Sequence, residues 1–483
     1  MTYSDPPPLL QGEPRDTSSS TPYSEKRPAE PEAGGYLEVL TIAAPLILST
    51  ASLSVTLFVD RMVLSWYSQA SVAAAVPGGI TYFTLCSFFL GTAQYVNTLV
   101  AQHHGAGDKP ACARAVWQGV LFALMSIPLV LCCIPLGLAI LSWAGHGAEL
   151  LKLETEYFSI LMVGGVMLPF NAALSSFFSG RGKTAVVMWG NVAGNLVNII
   201  LGYMLIFGKM GFPEMGIRGA GLATALSGVI PSIYWGALFL SARYQQIYRS
   251  RAQFELDRRL FYMLLRYGLP SGVQFCLEVA AYTLFVLLMG RIGEVDLAVS
   301  NMVGSIEMLS FLPMVGMSIA TATLVGRYIG MDRPLLGKKS AYSAVKLALG
   351  YMGIMALLFF FIPEQFLQVF RSRGEAGQDF AIILDKGVVI LRIVAVFTMF
   401  DTLFIIFSGA LRGAGDTRFA MWVQILIAWI FFVPPVYLII EHFGMGLLAA
   451  WSWSVIYVVL LGVVFWLRFR SGHWKTIRMV KGA

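Results

Sequence analysis

Four acidic residues stand inside long apolar runs: Asp60 in LSVTLFVDRMVLSW, Glu278 in VQFCLEVAAYTLFVLLMG, Asp401 in VAVFTMFDTLFIIFSG and Glu307 in VGSIEMLSFLPMVG. Moving a carboxylate into hydrocarbon costs at least about 2.5–3.5 kcal/mol on insertion scales. A chain that carries four such costs is expected to use them, and the chemistry open to such a group is to bind a cation or a proton. The neighbours support this. Ser49, Ser52, Thr56 and Asp60 lie three or four apart, as do Ser271, Gln274, Glu278 and Tyr282, while Thr398 and Asp401 share a face with Ser408. On a helix each set forms one polar stripe, which should face a protein-lined cleft and not lipid. Carboxylate, hydroxyl and amide oxygens suit a hard cation such as Na+; the same acids can instead carry protons.

The elements that position these groups are membrane helices. Mean hydropathy is +0.71, 57% of residues are hydrophobic and 13% charged, against about 25% charged in soluble domains. Polar residues are confined to short segments between apolar runs of spanning length, roughly 20 residues. Twelve runs fall near 38–64, 72–100, 114–142, 157–179, 186–208, 217–240, 261–290, 296–326, 341–362, 387–411, 419–440 and 443–467. None alternates with a period of two, which disfavours a barrel. The expected fold is an all-α polytopic membrane protein. Residues 1–35, rich in Pro, Ser and Glu, lack the basic-then-apolar layout of a cleavable signal; they read as a disordered cytoplasmic tail.

The net charge of +7 is distributed by position, not gathered for nucleic acid. With both termini cytoplasmic, the inner connections hold Lys109, Arg114, Arg181, Lys183, Arg327, Arg412 and Arg418, among others. The segment from 241 to 260 adds Arg243, Arg249, Arg251, Arg258 and Arg259, with Arg266 just beyond. The outer connections hold fewer. This is the positive-inside pattern, and it orients the protein; the expected location is a plasma (bacterial inner) membrane. His103, His104, His146, His442 and His473 lie in connections or near termini without metal-ligand spacing, and the five Cys form no paired framework. Gly180-Arg-Gly-Lys-Thr184 falls short of a phosphate-binding loop. No cofactor, no nucleotide engine and no metal beyond Na+ is expected, so transport must draw on an ion gradient.

The chain also repeats itself. Pro45 and Pro270 are 225 residues apart, and Val100–Gly105 with Val325–Gly330 and Gly221-Leu222 with Gly446-Leu447 keep that offset. Thr184 and Met188-Trp189 match Thr417 and Met421-Trp422 at an offset of 233. Each half has six spans, an even number, so the repeats are parallel. The expected organisation is an N-lobe over 36–240, a basic cytoplasmic linker over 241–260, a C-lobe over 261–467 and a basic tail over 468–483. Two lobes around a central cleft point to alternating access.

The order of these motifs resembles a known family. The early Pro in each half, VAQHHGAGD closing the second helix, SGRGKT opening the fifth, the stretch NLVNIILGYMLIFGKMGFPEMGIRGAGLATALS and LRGAGDT before the eleventh look like the multidrug and toxic compound extrusion transporters. The resemblance runs from about Tyr36 to Arg470. It implies an antiporter, not an enzyme, that expels amphipathic, often cationic compounds against inward Na+ or H+, working as a monomer among membrane lipids. It implies roles for Asp60, with Asn198 and Thr224 as further ligands, and for Glu278 and Asp401 as the acids of the NorM-type branch. Glu307, Tyr282 and Gln274 are additional candidates. The family often has an Asp four residues after that Asn; this chain has Gly202. The alternative is a flippase for lipid-linked sugars on a related two-lobe design, which should place basic groups in the cavity. A membrane-embedded enzyme should cluster His/Asp or Ser/Lys at one depth, and none is found.

Overall fold

A computed structural model describes residues 32–143, 146–370, 377–477 and 479. Most of the stretch read as an N-terminal tail, residues 1–31, and the last part of the C-terminal tail lie outside the described residues. Twelve helices are long and apolar enough to cross a membrane: α1 Tyr36–Tyr67, α2 Gln69–Gly105, α3 Lys109–Trp143, α4 Ala148–Ser179, α5 Thr184–Phe207, α6 Ile217–Phe239, α7 Arg258–Ile292, α8 Val295–Gly330, α9 Pro334–Phe361, α10 Phe380–Ala414, α11 Thr417–His442 and α12 Gly446–Ser471. Among the described residues there is no strand. The spans extend past the apolar runs, because polar turns at both ends continue the helices beyond hydrocarbon.

Prolines mark where spans bend. The ladder of α4 is interrupted at Val166, three residues before Pro169, and that of α6 at Gly228, three before Pro231. Proline supplies no N–H and crowds the carbonyl one turn back. In α11 the pair Pro434-Pro435 is flanked by π-helical turns at Ile427–Phe432 and Leu438–His442; these wider turns absorb the lost hydrogen bonds.

The sequence repeat is visible as packing. A Cβ on Gly105 would meet the Arg327 carbonyl oxygen at 2.0 Å, and one on Gly330 would meet that of Gln102 at 2.0 Å. These are equivalent pairs in the two halves: the end of α2 lies on the end of α8, and each lays its glycine on the other's backbone. Deeper in, Gly91 abuts Gly272 while Gly316 abuts Leu46 and Ile47, again at matching positions. So α2 packs on α7, and α8 on α1. Asn97 Nδ2 donates to Thr323 Oγ1 (3.0 Å), Gln102 Nε2 to the Gly413 carbonyl (3.0 Å) and Tyr328 Oη to Glu38 Oε2 (2.6 Å), closing the seam at the face that carries both termini. Farther out, Thr84 near the middle of α2 and Thr283 in the outer third of α7 meet at 3.5 Å. Among the described residues, the hydrogen bonds between the lobes lie between that level and the terminus-bearing face.

Two sequence expectations need correction here. His103 and His104 are not connection residues: they occupy the last turns of α2, and His103 is buried with neither ring nitrogen hydrogen-bonded. Arg412 is likewise not a solvated loop cation. It lies within the last turn of α10, and its carbonyl accepts from Thr98 Oγ1 at 3.4 Å. In both cases glycines that read as loop starts lie inside or at the end of a helix pressed against the other lobe.

Candidate functional site

The N-lobe gathers its polar residues between α1 and α5. The α1 stripe faces Asn191, Asn195 and Asn198, which are spaced i, i+4, i+7 and so share one face of α5. Asn191 Nδ2 donates to Ser49 Oγ (2.7 Å) and Asn195 Nδ2 to Ser52 Oγ (2.7 Å). The third rung is the acid. With its NH2 turned toward the carboxylate, Asn198 donates to Asp60 Oδ1 (2.9 Å) and Oδ2 (3.2 Å) while its oxygen accepts from Thr224 Oγ1 (3.2 Å). That orientation satisfies every group, whereas the opposite one sets amide oxygen against carboxylate. Asp60, Asn198 and Thr224 are therefore brought together, as the sequence predicts.

A cavity of about 210 Å³ opens beside them, bordered by Asp60, Tyr82, Asn171, Asn195, Asn198 and Thr224 among others. Asn171 Nδ2 donates to the Gly228 carbonyl (2.8 Å) and Asn171 Oδ1 accepts from Ser232 Oγ (2.7 Å), which fixes that wall. Gly202 is buried, and a Cβ there would stand 3.8 Å from Asp60 Oδ1. A side chain at that position would project at the acid, so the departure noted in the sequence leaves Asp60 without a second carboxylate beside it.

The C-lobe is built differently. Glu278 on α7, Glu307 on α8 and Asp401 on α10 lie near mid-helix, and the charges of the two glutamates act on Asp401. All three are half-buried. They do not converge on one point, since among the described residues no three His, Cys, Asp or Glu side chains lie close enough to hold a metal ion. Gln274 Nε2 donates to Ser408 Oγ (3.1 Å), joining the α7 stripe to that of α10. Tyr282 stands half-exposed with its hydroxyl against α8 at Gly304, one turn from Glu307. Thr398 is buried and bonds only to its own helix, to the Ala395 carbonyl.

Sequence reading missed several neighbours of these acids. Arg412 is close enough to Glu278 for each to feel the other's charge, and Tyr457, held by Gln424 Nε2 at 3.3 Å, faces both Glu278 and Asp401. The α5 asparagines carried a usable signal, the N-x3-N-x2-N spacing in NVAGNLVN. Arg412 and Tyr457 carried none, because their roles depend on which helices touch.

The comparisons with known proteins agree with this architecture. The sequence matches the MatE family over residues 45–204 and 270–438, two stretches that begin at the repeated prolines. A probable multidrug resistance protein NorM of Thermotoga maritima is 25% identical over 450 residues, covering 91% of this chain and 93% of that protein. The multidrug resistance protein PmpM of Pseudomonas aeruginosa is 30% identical over 404 residues, covering 81% of each. A solved structure described as the outward-facing conformation of a multidrug resistance MATE family transporter superposes with a TM-score of 0.79 at 22% identity, over 92% of this chain and 97% of that one. A transporter of the same superfamily from Pyrococcus furiosus, whose description notes a binding pocket of reverse polarity, gives a TM-score of 0.80 at 22% identity, over 92% and 97% of the chains. This chain belongs to the MatE family of multidrug and toxic compound extrusion transporters and sits with its NorM-type members.

Proposed function

We propose that this protein is a secondary antiporter that expels amphipathic cationic compounds in exchange for Na+ or H+, through alternating access of an N-lobe (36–240) and a C-lobe (261–467) joined by residues 241–260. Multidrug export is what the curated relatives are named for, and polarity decides the sign of the cargo. A fold neighbour is described as having a binding pocket of reverse polarity that suggests a different function, which supports reading cargo from pocket polarity and not from architecture. The observation that carries the reading is the set of acids facing the interior of both lobes, Asp60 in one and Glu278, Glu307 and Asp401 in the other. A lipid-linked pyrophosphate would be repelled by that charge, which weighs against the flippase alternative.

Size separates cargo from coupling ion. The N-lobe cavity is smaller than the ~300–1,000 Å³ typical of sites for drug-sized ligands, yet has room for an ion and several waters at about 30 Å³ each. Asp60, Asn198 and Thr224 supply oxygens that can replace part of an ion's hydration shell, so coupling is assigned to this nest and to the C-lobe acids, and cargo to the cleft between the lobes. Both termini are taken as cytoplasmic from the positive-inside pattern, and the hydrogen bonds between the lobes toward the terminus-bearing face then support an outward-facing state. The chain works as a monomer and needs no cofactor beyond the coupling ion.

The test is ethidium transport by the purified protein in liposomes, under an imposed Na+ gradient and then under a pH gradient alone. Transport under Na+ alone makes the acids cation ligands; transport under pH alone makes them proton carriers. Absence of transport under both would overturn the antiport reading.

A further inference from the structure

The segment joining the two halves carries a feature that export does not call for. Between α6 and α7 it forms a short helix, Ala242–Tyr248, then an irregular stretch that ends at Asp257, whose side chain caps α7 by accepting from Arg259 N and Leu260 N at 3.0 Å. This is not a loose tether. Trp117 Nε1 donates to the Ser250 carbonyl (2.6 Å), Gln118 Nε2 to the Glu255 carbonyl (2.9 Å) and Arg251 Nε to the Leu240 carbonyl (2.7 Å). Tyr244 and Tyr248 pack with Phe177 around the Arg181 guanidinium. The segment is thus fixed in depth against α3.

That depth is calculable. α3 has 35 residues and at 1.5 Å per residue is ~52 Å long, whereas the hydrocarbon core is about 30 Å thick. If the excess is shared between its two ends, roughly 11 Å of α3 stands outside hydrocarbon on each side. Trp117 and Gln118 lie two turns in from Lys109, about 12 Å along the axis. The segment bonded to them therefore lies at the boundary between headgroups and acyl chains.

Its exposed side chains match that boundary. Ile247, Phe254 and Leu256 are 43%, 56% and 58% exposed, an apolar set that water would not favour. Arg243, Arg249, Arg258 and Arg259 are exposed beside them. The acids in the segment do not cancel this charge: Asp257 is occupied by the α7 cap and by Arg114 at 3.7 Å, leaving Glu255. Arginine beside aromatic and aliphatic side chains at interfacial depth binds anionic leaflets.

We propose that residues 242–259 form a docking strip for anionic phospholipid headgroups, with Phe254 and Leu256 inserted at the top of the acyl chains and the arginines on the phosphates. The strip joins the two halves, so the lipid it holds also sets how the lobes sit relative to the bilayer. The inference rests on membrane insertion and on this segment's packing, and it stands whichever ion or cargo the transporter uses.

The experiment compares thermal unfolding of the full chain in nanodiscs of phosphatidylcholine alone and with roughly 30% phosphatidylglycerol, at low and high salt. The expected result is a salt-sensitive rise in Tm with phosphatidylglycerol that is lost in the combined variant Arg243→Gln, Arg249→Gln, Arg258→Gln and Arg259→Gln, while Tm in phosphatidylcholine is unchanged. No rise in the unsubstituted protein, or a rise that survives in the variant, would overturn the proposal. A second measurement does not depend on the variant's stability. A fluorophore on Leu256→Cys, in a Cys132→Ser background because Cys132 is exposed, should be quenched by lipids brominated near the headgroup end of the chain and shielded from aqueous iodide. Quenching by iodide alone would place the strip in water, available to an acidic protein partner, and would sink the lipid assignment.

Discussion

The two lobes solve the same problem in different ways. In the N-lobe a single acid is enclosed: Asp60 receives both of its hydrogen bonds from Asn198, stands beside a cavity of about 210 Å³, and faces Gly202 where a second carboxylate would fit. In the C-lobe three acids share one region without meeting, and their neighbours are a guanidinium and a phenol drawn from other helices. A formed nest holds an ion by geometry, whereas a dispersed set of charges attracts cations without fixing their coordination. The difference teaches that the two halves share a scaffold and not a chemistry: glycine contacts at the helix seams match position by position, and the acids and their partners do not.

The sharpest way to break this comparison is to neutralise each lobe separately. Glu278→Gln or Asp401→Asn should abolish gradient-driven transport, a drop of at least ~100-fold or about 2.7 kcal/mol, with normal insertion and folding. Asp60→Asn should also lose coupling while leaving cargo binding in the cleft intact, as read by ligand-induced quenching. Normal efflux by both C-lobe variants would sink the second-lobe mechanism. Next in size is the seam. Gly105→Ala or Gly330→Ala forces a methyl against backbone, and overpacking of that kind costs ~1–3 kcal/mol. The population open toward the terminus-bearing face should rise roughly 5- to 150-fold, measured by spin-label distances between α2 and α8. Equivalent effects from the two glycines would confirm that the halves share the seam; an effect from one alone would show that the symmetry is only geometric.

A smaller change would make the lobes more alike. Gly202→Asp places a second carboxylate beside Asp60 and should tighten cation binding about tenfold, or ~1.4 kcal/mol, in calorimetric titration of the detergent-solubilised protein; unchanged affinity would argue that the nest does not hold the ion. Removing single rungs should cost less still. Asn191→Leu in the N-lobe and Gln274→Leu in the C-lobe each break one interhelical hydrogen bond, worth about 0.6 kcal/mol on average in membranes, and should lower Tm by a few degrees at most. The smallest effect concerns the strap from the start of the chain to the other lobe. Lys339 bonds Glu32 and holds its carboxyl below the usual carboxylate range. A depressed carboxylate stabilises above its unfolded pKa and loses that contribution as pH falls through the folded one. Hydrogen exchange near Gly34 and Gly35 should therefore quicken only below about pH 4.5; a change centred on neutral pH would point to another group.

Much of this was legible in the sequence because membranes make patterns explicit. Twelve apolar runs had to become twelve spans, and the offset of 225 between Pro45 and Pro270 had to become two equivalent halves. The α1 stripe pointed inward because lipid offers Ser49, Ser52 and Asp60 no partner. What stayed hidden were relations between helices. Nothing in LRGAGDT says that Arg412 continues α10 toward Glu278, and nothing around His103 says that its ring is buried. The interfacial depth of residues 242–259 was hidden for the same reason, since it follows from a hydrogen bond to Trp117.

Under the proposed alternating access, the glycine seam at the terminus-bearing face would be reopened in every cycle, and that gives it a thermodynamic meaning. Gly105 and Gly330 bring main chain against main chain, and a contact of this kind immobilises no long side chain. Closing it forfeits little rotamer freedom, which for a buried Lys, Arg or Met would reach ~1.5–2 kcal/mol each. Parting it at the glycines strands no long side chain, and the partners to be replaced are those of Asn97, Gln102 and Tyr328 beside them. A joint that is bare backbone at its two glycines, with Asn97, Gln102 and Tyr328 bonding beside it, separates there with a small change in free energy, and under the proposed exchange that leaves more of the gradient's work for moving cargo.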